Sequence, residues 1–259
     1  FRIAAACSLL LGVFSFFLPS TPPKKQSASL SSIVGLDALV LFKDRSFIVF
    51  FISSIIICIP LAFYYSFANP FLNDIGMDNA AGKMTLGQAS EFLFMLLMPF
   101  AFSKLGIKKV MLAGMLAWVV RYLFFAFGDV GSGTWMLYMG IVLHGICYDF
   151  FFVSGQIYID KKSNSSIRNS AQGLITFATY GVGMLIGSFV AGFVTETFVS
   201  GSNEELKYIW QSIWLIPGAI ALLVAFLFLF FFKEKSLQSP PTPKETKKSL
   251  VQKKTVLKD

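Results

Sequence analysis

The chain has 259 residues, of which 55% are hydrophobic, 16% aromatic and only 14% charged. That composition belongs to a membrane protein and excludes an ordinary soluble domain. The net charge of +8 is spread over short loops and a C-terminal tail. It forms no basic domain that could lie on a duplex, so no nucleic-acid partner is expected.

Seven apolar stretches read as membrane spans with a window of about twenty residues. They lie near 1–18, 47–68, 80–103, 109–128, 135–159, 170–196 and 207–232. The chain starts with Phe inside the first of them. We read residues 1–18 as the end of a transmembrane helix rather than a signal peptide, because Arg2 alone makes a poor basic leader and no small-residue cleavage site follows before Pro19. Residues 19–46 are polar, Ser-rich and basic, and read as a linker. Residues 47–232 hold six spans, and residues 233–259 read as a basic, disordered tail.

Charge orients these spans. One alternate set of loops carries Lys24, Lys25, Lys43 and Arg45, then Lys104, Lys108 and Lys109, then Lys161, Lys162 and Arg168, then Lys233 and Lys235. The other set carries Lys83 and Lys207 among Asp74, Asp78, Asp129, Glu196, Glu204 and Glu205. The positive-inside rule makes the first set cytoplasmic, and with it the linker and the C-terminus. Cys7, Cys58 and Cys147 sit in apolar runs at spacings that match no metal motif, so no metal and no cofactor is expected.

Pro60, Pro99 and Pro217 interrupt three spans and should kink them. Gly183, Gly187 and Ala191 recur at four-residue spacing, which lets helices approach closely. Trp210 and Trp214 open the last span, where aromatic anchors at the membrane interface are expected.

The informative residues are those that hydrocarbon should exclude. An ionisable side chain at mid-helix costs roughly 2.5–3.5 kcal/mol on insertion scales, so it is kept only when paired or facing a wet cavity. Gln88 and Glu91 lie three apart and share a helical face. With a helix start near Asn79, Gln88 lies roughly 13 Å in, which puts Glu91 near the midplane. A carboxyl there could bind and release a proton, or be held ionised by a cation. Arg121 stands in the middle of the next span and needs a carboxylate partner, for which Asp149 and Glu91 are the candidates. The stretch His144–Asp160 carries His144 and Tyr148 on one face and Asp149 and Gln156 on the adjoining one. Either Tyr64 or Tyr65 could stack on a ring-shaped ligand. The plainer alternatives are that an Arg–Asp pair only holds two helices in register, and that His144 is a hydrogen-bonded packing residue.

The runs MTLGQASEFLFMLLMPF, LGIKKVMLAGMLAWVVRYLFFAFG, HGICYDFFFVSGQIYID and SAQGL, in that order, resemble the C-terminal half of the nucleoside–proton symporters of the major facilitator superfamily. The resemblance covers most of residues 47–232. It implies an all-α polytopic bundle, with the seven spans here corresponding to helices six to twelve of an expected twelve, and substrate bound at the midplane between two six-helix halves. It further implies that Gln88 and Glu91 contact the nucleoside, that His144 and Tyr148 stand beside base or sugar, and that Asp149 is a candidate for proton coupling. This chain departs from the family pattern at Ala62 and Tyr65, where Gln and Asn are usual, and at His144, where an aromatic residue is usual.

The expected function is proton-coupled import of nucleosides by alternating access across the cytoplasmic membrane of a bacterium. The expected site is Gln88, Glu91, His144, Tyr148 and Tyr65 for substrate, with Glu91 and Asp149 for the proton. A monomer in membrane lipid would suffice. The alternatives are a transporter of another solute, sugar-like or nucleobase-like, and a nontransporting subunit. A membrane-embedded enzyme using His144, Asp149 and Glu91 is disfavoured because no metal cluster or nucleophile–base motif is present.

Overall fold

The computed structural model describes residues 2–20, 36–201 and 207–233. Part of the expected linker, including Lys24 and Lys25, together with Glu204, Glu205 and the expected basic tail, lies outside the described residues. Six helices follow in order: α1 (Arg2–Ser15), α2 (Arg45–Asp74), α3 (Ala80–Phe127), α4 (Thr134–Lys162), α5 (Arg168–Thr197) and α6 (Trp210–Phe231). Helices α2 to α6 are each long and apolar enough to cross a bilayer. A two-stranded antiparallel ladder, β1 (Val199–Ser200) with β2 (Lys207–Tyr208), joins α5 to α6.

Helix α3 holds two of the expected spans. Its 48 residues would reach about 72 Å if straight, against about 30 Å of hydrocarbon. The break falls at Gly106, with φ 73° and ψ 168°, a conformation open essentially only to glycine. Contacts with α4 show that the chain reverses there. Gly145 meets Ser90 and Ser154 meets Met98, so α4 runs parallel to the first arm. Gly140 meets Phe125, and Gly114 meets Phe150 and Phe151, so α4 runs antiparallel to the second arm. The two arms are therefore an antiparallel pair, and the chain from Arg45 to Phe231 crosses six times.

The helix before them starts two residues earlier than the apolar pattern suggests. The Asp44 carboxylate accepts from the backbone N–H groups of Ser46 and Phe47 at 2.8 and 3.2 Å, which caps two of the free donors at the start of α2. Residues Leu36–Lys43, inside the stretch expected as a polar linker, form a 3₁₀ helix with Ala38 and Leu41 buried.

Small residues set the helix spacing. A side chain at Gly183 would meet Cys58, and one at Gly187 would meet Ala62 at 2.8 Å. The small-residue row thus packs α5 on α2 inside the chain. Ala62 is fully buried in that contact. Two single turns are widened to π-helix, at Asp149–Val153 in α4 and Phe177–Gly183 in α5. Such turns are rare and concentrate at functional sites.

An aromatic column joins α2, α3 and α6. Tyr122 stacks between Trp118 and Trp214, with ring centroids 5.7 and 5.5 Å apart, and its hydroxyl donates to the Pro60 carbonyl. The tryptophans expected as interfacial anchors belong to this interior. Trp214 is fully buried, and Trp210, also buried, donates its indole N–H to Asp74 at 2.5 Å. Their flat rings fill the gap left where Phe71 and Phe125 cross.

The basic loops collect at one end of the bundle. Lys162 bonds Asp44 at 2.7 Å, Lys108 donates to the Leu229 carbonyl at 2.8 Å, and Ser46 donates to the Lys233 carbonyl at 2.7 Å. Asp74 and Asp129 cap the opposite end.

The tightest crossing gives a direct test. A Cβ at Gly145 would lie 2.5 Å from the Ser90 carbonyl carbon, whereas one at Gly173 would meet nothing within 4 Å. Backbone cannot rotate away, so Gly145→Ala should destabilise the chain by about 1–3 kcal/mol. Gly173→Ala should leave the thermal midpoint in detergent unchanged or slightly raised.

Candidate substrate site

The polar residues of α3 and α4 meet on one face of the bundle. Arg121 is fully buried. Its Nη1 lies 2.9 Å from Nδ1 of His144, and its guanidinium lies 3.4 Å from the Tyr64 ring centroid. A desolvated cation on an aromatic face gains about 2 kcal/mol or more. The other ring nitrogen of His144, Nε2, lies 2.7 Å from Oε1 of Glu91. His144 is itself buried and stacks on Tyr64, with centroids 4.8 Å apart and planes 28° apart.

The chemistry of the donors fixes the direction of this chain. A guanidinium donates and never accepts. Nδ1 of His144 therefore accepts from Arg121, the ring proton sits on Nε2, and that N–H donates to the Glu91 carboxylate. Arg121 thus has no direct carboxylate partner among the described residues: His144 stands between it and Glu91. Of the two candidate carboxylates, Asp149 has no bond to Arg121 among the described residues, and Glu91 is linked to it through His144. A histidine does this because its two nitrogens lie on opposite sides of a rigid ring, so it accepts on one side and donates on the other.

Glu91 is the point at which this buried chain reaches the open face, with 28% of its side chain exposed. Tyr65 is half-exposed beside it and turns its edge toward His144, with centroids 6.4 Å apart. Tyr148 lies on the other side of His144, at 6.1 Å between centroids. Its hydroxyl bonds that of Tyr180 on α5. Tyr148 immediately precedes one π-turn and Tyr180 lies within the other.

The remaining expected residues fall around this core. Gln88 is exposed on the same helix, one turn before Glu91. Its neighbour Gly87 lies against His144, where a Cβ would come to 3.3 Å. Asp149 is fully buried, and neither carboxylate oxygen has a hydrogen-bond partner among the described residues. Gln156 is exposed, and its carbonyl accepts from Gln172 at 2.8 Å. One residue of the cluster was not singled out by sequence reasoning. Tyr180 sits in a glycine-bracketed run, TYGVG, that reads as packing. Tyr64 was distinguished from Tyr65 only by the structure, which buries the first under Arg121 and exposes the second.

This arrangement presents the part-exposed Glu91 carboxylate, held from behind by the buried His144 N–H, beside the exposed ring of Tyr65 and the paired phenols of Tyr148 and Tyr180. It suits a ligand with hydroxyls and a flat ring. The family model described as nucleoside H+ symporter matches residues 1–237. The chain belongs to the nucleoside H+ symporter family. It is 44% identical to YegT of Escherichia coli (strain K12) over 237 residues, covering 90% of this chain and 56% of that protein. It is 36% identical to the nucleoside permease NupG of the same organism over 251 residues, covering 92% of this chain and 59% of that protein. The crystal structure of the nucleoside transporter NupG superposes with a TM-score of 0.71 at 36% identity, covering 90% of this chain and 60% of that one. The fold is therefore that of a major facilitator membrane bundle, and the chain spans a little over half the length of the relatives it matches. Those relatives are transporters and permeases, not enzymes.

The sequence contains one histidine, so ¹⁵N-histidine labelling of this chain reports a single ring. The spectrum should show a protonated, pyrrole-type Nε2 and an unprotonated, pyridine-type Nδ1. Arg121→Met should abolish that preference. The opposite tautomer in the unsubstituted chain would contradict the assigned direction of the Arg121–His144–Glu91 chain.

Proposed function

We propose that this chain forms the substrate-facing helices of a proton-coupled nucleoside importer. The observation that carries the reading is Glu91, a part-exposed carboxylate tied through His144 to a buried arginine. Membership of the symporter family supports it. Relatives named for nucleosides and for xanthosine match to a similar degree, which favours nucleosides as a class over any one base.

In this reading the sugar hydroxyls bond Glu91 and Gln88, while the base lies between the aromatic faces of Tyr65 and Tyr148. Glu91 or Asp149 takes the proton from outside. Protonation of Glu91 weakens its hold on the His144 N–H and removes the negative charge that balances Arg121 through that ring. It can therefore shift the balance between outward and inward states, as coupling by differential affinity requires. Substrate then crosses by rocking of helix groups about the midplane site. The basic end of the bundle faces the cytoplasm of a bacterial cell under the positive-inside rule, placing residues 19–46 and the C-terminal tail inside. A monomer suffices, since the polar face described here needs no second copy.

The departures at positions 62 and 65 bear on which nucleoside is preferred. Ala62 is sealed against Gly187 and gives a ligand no hydrogen bond, whereas Tyr65 contributes an exposed ring. Recognition in this chain shifts from amide hydrogen bonds toward stacking.

Uptake of radiolabelled uridine and adenosine by cells expressing the complete transporter tests the proposal. Glu91→Gln should abolish accumulation above the external concentration, and accumulation that still follows an imposed pH gradient would remove Glu91 from the coupling. Base stacking on an aromatic side chain is worth about 1–3 kcal/mol, so Tyr148→Ala should raise KM roughly five- to hundredfold. Tyr148→Phe keeps the ring, loses only the bond to Tyr180, and should stay within a few-fold of the parent.

A further inference from the structure

A second site lies at the other level of the molecule, at its basic end. A cavity of about 1130 Å³ opens there between the 3₁₀ helix, the start of α2 and the end of α6. Its rim carries Lys43, Arg45 and Lys233, together with Lys162 and Asp44. Its wall is apolar, including Val49, Phe230 and Phe231.

Among the described residues, the charges divide into a committed pair and three further cations. Lys162 holds Asp44 at 2.7 Å. Burial alone would raise the Asp44 carboxyl, but the bond from Lys162 and the two backbone N–H groups of α2 hold it below its ordinary value. The pair therefore stays ionised at neutral pH and mutually neutralised. Among the described lining residues, four cations and one carboxylate leave +3, carried by Lys43, Arg45 and Lys233. All three are exposed, and their side chains have no hydrogen-bond or ion-pair partner among the described residues.

We propose that this cavity binds an anionic phospholipid, with its phosphate held by Lys43, Arg45 and Lys233 and its acyl chains lying along Phe230, Phe231 and Val49. Two observations select a lipid over a free anion. The cavity is far larger than a phosphate requires. Its apolar wall is also open, Phe230 and Phe231 being 65% and 62% exposed, and a small anion would leave that wall uncovered. Basic pockets between transmembrane helices on the cytoplasmic side recognise lipid headgroups in this way. The proposal rests on the orientation proposed above, but lipid retention in detergent is read without transport and without orientation, so the two fail separately.

Native mass spectrometry of the purified chain tests it, with phosphatidylglycerol, phosphatidylcholine or soluble glycerol 3-phosphate added. Phosphatidylglycerol should be retained in preference to phosphatidylcholine, and glycerol 3-phosphate should not be retained. Each cation near an anionic headgroup is worth about fivefold, so the combined Lys43→Gln, Arg45→Gln and Lys233→Gln variant should bind roughly a hundredfold more weakly. Should that variant aggregate, Arg45→Gln alone should lose about fivefold. Val49→Trp, which narrows the cavity without touching charge, should also reduce retention. Equal retention of phosphatidylcholine, or unchanged retention in these variants, would overturn the proposal. Binding of glycerol 3-phosphate as tight as that of the lipid would overturn it too, making this a free-anion site.

Discussion

The buried charge of Arg121 is the constraint on which the centre of this bundle depends. A guanidinium does not give up its proton, and an uncompensated charge at this depth is costly. The structure meets that cost with groups from three crossings. Tyr64 of α2 supplies a π face, His144 of α4 supplies an acceptor nitrogen, and Glu91 on the first arm of α3 supplies negative charge one ring further on. Each contact fixes the register of one helix against the second arm of α3. The Arg121 charge therefore organises the scaffold, and it also holds Glu91 at the open face.

Close backbone approach makes this geometry possible. Gly145 lets α4 lie against Ser90, one residue from Glu91, and Gly87 leaves room for the His144 ring from the other side. The break at Gly106 folds α3 into a hairpin, so the two ends of the Arg121–His144–Glu91 chain come from its two antiparallel arms. Tyr148, just before one π-turn, and Tyr180, within the other, bond through their hydroxyls. Packing and polar contacts are coupled here: a side chain at Gly145 would separate the helices that hold the donors and acceptors together.

Much of this was legible in the sequence. Hydropathy located α2 to α6 and both arms of α3, most ends within three residues, because a membrane span needs a long apolar run whatever it packs against. The expected first span, 1–18, is represented by the shorter α1. Helical spacing put Gln88 with Glu91 and His144 with Tyr148 for the same reason. What one-dimensional pattern could not give was partner choice. Arg121 was expected to need a carboxylate, with Asp149 and Glu91 as candidates; that His144 of α4 stands between it and Glu91 is revealed only by the crossing of α4 over α3. Trp210 and Trp214 carry the composition of interfacial anchors yet fill the aromatic interior, because hydropathy reports depth along a helix and not which way a ring faces. Tyr180 escaped notice because its partner is thirty-two residues away and its turn departs from the regular helical period.

The measurement that bears most directly on this account is a double-mutant cycle on the unfolding free energy in detergent, with Arg121→Gln, Glu91→Gln and both together. If the two charges balance through His144, removing either strands the other. Removing both should then cost less than the sum of the single losses, with a coupling of about 0.5–3 kcal/mol. Strict additivity would show that Arg121 and Glu91 are neutralised independently, and would contradict the central claim that one buried charge organises the site.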